Sequence, residues 1–309
     1  MTDDDTRVLE FGVAIDPRAD DPEWAVRLTT AADEAGLDLV DVQDHPYAPQ
    51  FLDTWTLLAV LAARTRRVRL YPGVASLPLR PPAVLAKAAA SLDLLSGGRM
   101  ELGLGAGGSW DGIAGLGGPV RTPGEAVAAL EEAIWVIRLL WSGEGPVRFE
   151  GTHYRLQGAE AGPRPAHPIG IWLGALGPRM LDLTGRLADG WIVSSPFTPP
   201  AQLPAMQDRI EAAALAAGRD PRVIRRVYNV VGTIRPSGHR VAGPLDDPAE
   251  HWVEQLTRYA LVEGMDTFIL APREDPERQL RLFAEEVVPA LRVAIRRPVP
   301  APASSLPVA

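Results

Sequence analysis

No cysteine occurs among the 309 residues. That removes disulfides, iron–sulfur clusters, cysteine zinc sites and a thiol nucleophile. Lysine is nearly absent: of 31 basic residues, only Lys87 is not arginine. It sits in Ala86-Lys87-Ala88-Ala89-Ala90, a run that reads as ordinary helix, so Schiff-base chemistry has no good candidate. Positive charge is the minority sign, with a net charge of −8 and no basic run. Nucleic-acid binding needs phosphate neutralisation and is not expected. No apolar run reaches the roughly 18 residues of a membrane span. The start, Met1-Thr2-Asp3-Asp4-Asp5, lacks the apolar stretch of a signal peptide. A cytoplasmic protein with no membrane attachment is expected. The five histidines, at 45, 153, 167, 239 and 251, show no metal-ligand spacing, so no metal site is expected. Neither a G-x-S-x-G elbow nor a Walker A loop occurs.

What is present is rhythm. With 46% hydrophobic and 23% charged residues the chain can bury a large core. Short apolar runs near 10–15, 37–43, 67–74, 99–105, 169–173, 190–194, 226–233 and 266–271 read as buried parallel strands. Runs with helical period near 22–36, 53–65, 81–96, 123–142, 177–188, 199–218, 247–263 and 276–295 alternate with them. Thr122-Pro123-Gly124-Glu125 reads as an N-cap, a first-turn proline and a capping-box glutamate, and Asp247-Pro248-Ala249-Glu250 repeats the pattern. Asp275-Pro276 opens the last helix, and Gly36 and Gly218 stand where C-terminal caps belong. Eight strand–helix pairs predict an α/β fold, a (β/α)8 TIM barrel in one domain over 1–295. A doubly wound open sheet uses the same alternation. Two stretches break it: the Gly-rich 106–122 after strand four, and 143–168 before strand five, where residues 147–156 read as a hairpin. Long loops in compact domains are usually lids or binding loops. The Pro- and Ala-rich tail, 296–309, is expected to be disordered.

Four constellations could carry chemistry. Asp44-His45 ends the second strand, where a barrel places catalytic groups, and imidazole exchanges protons near neutral pH. A strand-end carboxylate capping a loop would look the same. Gly103-Leu104-Gly105-Ala106-Gly107-Gly108 contains G-x-G-x-x-G. As a dinucleotide fingerprint it is weak, because no helix opens directly after it; it reads better as backbone that a flat ligand can approach. Gly174-Ala175-Leu176-Gly177-Pro178-Arg179-Met180 follows an apolar strand and opens a helix, which favours an anion such as phosphate. A plain β-to-α turn remains the alternative. Tyr71-Pro72-Gly73-Val74 through Pro82 is a proline-stiffened loop after strand three.

Taken together, these motifs resemble the luciferase-like monooxygenase family. The resemblance rests on Leu77–Arg99 followed by Gly103-Leu104-Gly105-Ala106-Gly107, on Gly177-Pro178-Arg179-Met180 with Ala188-Asp189-Gly190-Trp191, on Asp44-His45, and on Glu285-Glu286-Val287-Val288-Pro289-Ala290-Leu291-Arg292. They occur in order over roughly 10–293. The resemblance implies a barrel that binds the deazaflavin coenzyme F420, or flavin mononucleotide (FMN), at its strand ends. His45, with Asp44 nearby, would exchange protons beside the ring. Gly73-Val74 would form a non-proline cis peptide bulge behind it. Gly105, Ala106 and Gly107 would line the ring or ribityl tail. Ala175, Leu176, Gly177, Pro178, Arg179 and Met180 would hold the phosphate. The Gly-Pro-Arg-Met turn is most similar to the methylene-tetrahydromethanopterin reductase branch, which implies hydride transfer between F420 and an organic substrate. The alternative is an oxygen-using monooxygenase on reduced FMN. Sugar-phosphate dehydrogenases of this kind carry a glutamate and a lysine where Gly108 and Phe197 stand. With Trp110, Trp191 and Tyr47 near the mouth, this implies an apolar or planar substrate. The run Pro81–Leu95 is the expected homodimer face.

Overall fold

The computed structural model describes residues 8–238 and 245–296. In chain order they form β1 (Glu10–Ile15), α1 (Pro22–Glu34), β2 (Leu39–Val42), α2 (Thr54–Arg64), β3 (Arg69–Pro72), β4 (Ala75–Ser76), α3 (Pro82–Ser96) and β5 (Leu102–Gly105). Next come α4 (Trp110–Gly115), α5 (Pro123–Trp141), β6 (Pro146–Glu150), β7 (Arg155–Glu160), β8 (Ile171–Gly174), α6 (Pro178–Leu187) and β9 (Gly190–Ser194). The rest is α7 (Leu203–Ala216), β10 (Arg225–Arg235), β11 (Asp246–Pro248), α8 (Ala249–Leu261), β12 (Thr267–Pro272), α9 (Pro276–Leu282) and α10 (Val288–Arg296), with a π-helical turn, Phe283–Val287, joining the last two.

The parallel strands run in the order β3-β2-β1-β12-β10-β9-β8-β5-β4. β3 and β4 are two halves of one stave, interrupted at the cis peptide bond Gly73–Val74. β3 pairs with β2 and β4 with β5. The bridge between Leu70 and Met100 closes the ring on the other side of the break. The Leu70 N–H donates to Arg99 O (2.9 Å) and the Glu101 N–H to Leu70 O (3.0 Å). The result is a TIM barrel of eight staves with its helices outside. Period-two side chains fill both faces of the staves. Outward residues such as Phe11, Val40, Leu70, Leu104 and Phe268 pack under the helices. Inward residues Leu39, Tyr71, Trp172, Ile192, Val227 and Ile269 form a second cluster, an apolar floor inside the barrel.

Local signals explain most boundaries. Thr122 and Glu125 exchange both bonds of a capping box at α5. Gly36 and Gly218 have φ of 76° and 72° just beyond α1 and α7, a left-handed conformation that a Cβ disfavours. Asp275 caps α9 through the Arg278 N–H. Asp247 is a correction: instead of capping α8, it lies in β11, paired with Ile234 of β10, and α8 starts at Ala249 without a side-chain cap. The 143–168 connection holds the β6–β7 hairpin, which is antiparallel. The 106–122 segment holds the short helix α4, which no sequence signal announced. The helix α10 runs through Arg296, one residue into the expected tail; 297–309, like His239, lie outside the described residues.

Candidate active site

Every strand of a parallel barrel points its carboxyl end to the same rim, and side chains there converge on one space. Asp44, two residues past β2, is buried at that rim. Its carboxylate is taken up by Arg80, whose Nε and Nη2 donate to the two oxygens at 2.7 Å each, and by the Ser76 N–H at 3.0 Å. Arg80 also reaches Asp53, the N-cap of α2 (2.7 Å). A bidentate guanidinium pair is strong and geometrically fixed. Asp44 therefore ties the end of β2 to the resumed stave after the cis break.

His45 is half-buried, with Nδ1 2.8 Å from the Tyr47 hydroxyl. Its ring lies between Tyr47 (centroids 5.5 Å) and Phe51 (6.3 Å, nearly parallel). With Nδ1 engaged, Nε2 is the ring nitrogen left for a ligand. Burial, with the Asp44 charge adding to it, pushes the Tyr47 phenol above its usual value.

Asp44, His45, Tyr47, Val74, Ser76, Gly105, Ala106, Gly107, Gly108, Gly174, Leu176, Gly177 and Met180 wall a cleft of about 350 Å³, with Ala75 completing it. A lobe of about 570 Å³ adjoins it, sharing Ala106, Gly107, Gly177 and Met180 and adding Trp110, Val127, Pro178 and Arg179. Among the described residues no lysine or arginine lines the cleft itself. Of the residues expected at the site, nine line the cleft: Asp44, His45, Val74, Gly105, Ala106, Gly107, Leu176, Gly177 and Met180. Pro178 and Arg179 line the lobe. Gly73 and Ala175 stand behind the wall. A Cβ on Gly73 would lie 1.8 Å from Asp41 Oδ1, so only glycine fits there. Ala175 is buried and its carbonyl accepts the Trp191 indole N–H at 2.9 Å. Trp191 is thus a correction: it is fully buried and braces the turn after β8 instead of standing at the mouth. Phe197 is exposed.

The wall suits a flat ring with an anionic tail. A Cβ on Gly105 would come within 2.6 Å of Val74 Cγ2, so the bulge and the β5 end meet as backbone against side chain. α6 opens on Gly177, which offers no capping side chain, and Pro178 has no N–H. The first-turn N–H groups of Arg179 and Met180 have no intrahelical partner and carry the positive end of the helix dipole. Below the bulge, Asp41 of β2 is buried; Asn229 donates to its Oδ2 at 3.0 Å and its Oδ1 has no partner. Burial raises its pKa to about 8, against the Asn229 bond and with repulsion from Asp16. Asp41, Arg80 and Tyr47's bond to His45 are the features sequence reading missed. The only trace of Asp41 was an acidic residue inside a strand called buried. Among the described residues no group of three or more His, Asp or Glu is placed to hold a metal, and no helix is long and apolar enough to cross a membrane.

The luciferase-like monooxygenase family model matches residues 8–292. An F420-dependent glucose-6-phosphate dehydrogenase of Nakamurella multipartita is 32% identical, over 93% of this chain and 98% of that protein. Its counterpart from Amycolatopsis mediterranei is 31% identical, over 87% and 93%. Among solved structures, an F420-dependent secondary alcohol dehydrogenase in complex with an F420–acetone adduct superposes with a TM-score of 0.83 at 21% identity, covering 93% of this chain and all of that one. The F420-dependent tetrahydromethanopterin reductase of Methanopyrus kandleri gives 0.74 at 20% identity, covering 92% of this chain and all of that one. The chain belongs to the luciferase-like monooxygenase family, and it is an oxidoreductase.

Proposed function

We propose that this protein transfers a hydride between coenzyme F420 and an uncharged organic alcohol or carbonyl compound. The observation that carries the reading is one imidazole at the rim of a glycine-walled cleft that, among the described residues, no lysine or arginine lines. When bound, F420 supplies the hydride; the protein supplies orientation and electrostatics. Val74, Gly105, Ala106 and Gly107 hold the ring, and the open first turn of α6, with Arg179 and Met180, holds the phosphate. His45 Nε2 gives or takes the proton at the substrate oxygen. Asp44 positions His45 by fixing the strand end through Arg80. Among the described residues no lysine or arginine lines the cleft; with Gly108 open and Phe197 exposed, this supports an uncharged substrate over a sugar phosphate. Val84 and Leu95 are exposed on α3, which supports a homodimer through that helix; light scattering after size exclusion measures the mass.

The test is titration with F420 and with FMN, followed by absorbance, and then turnover with and without oxygen. F420 binding with oxygen-independent turnover of a neutral alcohol is expected. Tight FMN binding with indifference to F420, or product formed only with oxygen, defeats the reading in favour of a flavin monooxygenase. Turnover of glucose 6-phosphate above neutral alcohols defeats the substrate class alone.

A further inference from the structure

The hydrogen-bond partner of His45 is a phenol, where a carboxylate would be the more familiar choice for a proton-transfer imidazole. A carboxylate only accepts; a phenol donates and accepts. With Tyr47 Oη 2.8 Å from Nδ1, the neutral ring has two satisfied forms. Either Nδ1–H donates to Oη and Nε2 is bare, or Oη–H donates to Nδ1 and Nε2 carries the proton. Resting on the reading of His45 as the proton-transfer group, we propose that Tyr47 is a positioning residue that pins Nδ1 and relays protons between His45 and water at the cleft mouth. When a substrate hydroxyl is oxidised, its proton goes to Nε2, the Nδ1 proton goes to Oη, and the Oη proton goes to water. One proton enters, one leaves, and no electrons pass through the pair. Reversed, the same chain protonates a carbonyl oxygen.

The surroundings hold Tyr47 to this task. It lines the cleft and is half-buried. α4 lies directly against it: a Cβ on Gly112 would come 2.8 Å from Tyr47 Cγ and 3.0 Å from its Cβ. The charged groups nearby are committed elsewhere. Asp44 is tied to Arg80 and the Ser76 N–H. Asp16, beyond β1, accepts from Gln43 at 2.5 Å and feels first Arg18 and, more weakly, His45, with which it makes no hydrogen bond. Burial keeps the phenol protonated and able to donate.

The experiment uses ¹⁵N-histidine NMR on the free protein, with the His45 signal assigned by its loss in His45→Gln. In the wild type, Nδ1 shows the shift of a hydrogen-bonded nitrogen. In Tyr47→Phe it moves to the value of a free imidazole, and kcat with F420 falls about tenfold or more, well beyond any change in F420 affinity. Gly112→Ala, which pushes the ring off His45 while keeping the hydroxyl, moves the same resonance. An unmoved Nδ1 signal, an unchanged kcat, or a kcat loss matched by lost F420 affinity overturns the proposal. Because the resonance is read without cofactor, the pinning is decided even if F420 fails to bind, a result that would sink the functional reading instead.

Discussion

At the amino-terminal ends of the barrel strands, Arg69 bridges Glu10 and Glu101 (2.6 and 2.8 Å). There His167 Nδ1 lies 2.8 Å from Asp93, whose oxygens also accept the Ala166, His167 and Met100 N–H groups. Glu101, with Asp93 assisting, holds the His167 ring above its usual pKa. At the carboxyl-terminal ends, Asp44 is enclosed in the same way, and Arg235 at the end of β10 pairs with Asp246 and Glu274. His45 keeps one nitrogen free, and the α6 turn keeps its N–H groups uncapped. The two ends share staves and core but not accounting. Groups saturated by one another stabilise the fold and can do nothing else, whereas groups left open are available to a ligand. Both histidines bond through Nδ1 at 2.8 Å, so bond length alone does not separate structural from chemical imidazole; the surroundings do, since His167 stands between two carboxylates, Asp93 on Nδ1 and Glu101 3.6 Å from Nε2, whereas His45 bonds a phenol and lines the cleft.

Substitutions at each end break or sharpen this contrast. The largest effect is expected at the rim. His45→Ala should lower kcat by about 10²–10⁴-fold, with the thermal midpoint nearly unmoved, as read by steady-state kinetics and calorimetry. Asp93→Ala should do the reverse. It strands three backbone N–H groups and the His167 ring, and should cost about 3–5 kcal/mol by urea unfolding, while the folded fraction keeps its F420 affinity. A catalytic loss at Asp93 matching that at His45 would erase the distinction. Gly105→Ala is smaller, since its methyl must displace Val74 at a cost of about 1–3 kcal/mol; F420 affinity should fall by about tenfold or more in a fluorescence titration.

How far the sequence carried this is itself uneven between the two ends. The staves were legible because buried parallel strands are short apolar runs and the helices between them keep a 3.6 period. β1 and β9 run over the same residues that the pattern marked. Hydrophobicity alone read stave three as one run, 67–74, because the break changes none of it; the cis peptide at Gly73–Val74 that the family resemblance implied is there. Trp191 looked like a rim aromatic because strand parity does not say which face a residue takes; it points into the helix layer. The bond that holds Asp44 was not legible, because Arg80 lies 36 residues away and no local pattern encodes a contact of that span. The rim placement of His45 and the Gly-Pro-Arg-Met turn was legible because it is local: a strand end and a helix start.

Asp41 belongs to neither end, and its effect is read as a slope. Its carboxyl lies inside the barrel with one bond, from Asn229, and burial pushes its pKa up to about 8 from an ordinary 3.8. Between those values the folded protein holds a proton that the unfolded chain has released. The stabilisation is therefore fully present below the unfolded pKa and is lost as pH rises through the folded one, at up to about 1.4 kcal/mol per pH unit. Asp41→Asn copies the protonated carboxyl in shape and offers an N–H to the unpartnered Asn229 Oδ1. The variant should match the wild type in urea unfolding near pH 4 and exceed it increasingly toward pH 8. The remaining slope above about pH 6.5 then belongs to His167, whose raised pKa acts in the same direction. Parallel stability curves for the two proteins would mean that Asp41 is ionised in the barrel, with a cation or water on its free oxygen, and that the interior below the bulge is as open as the rim above it.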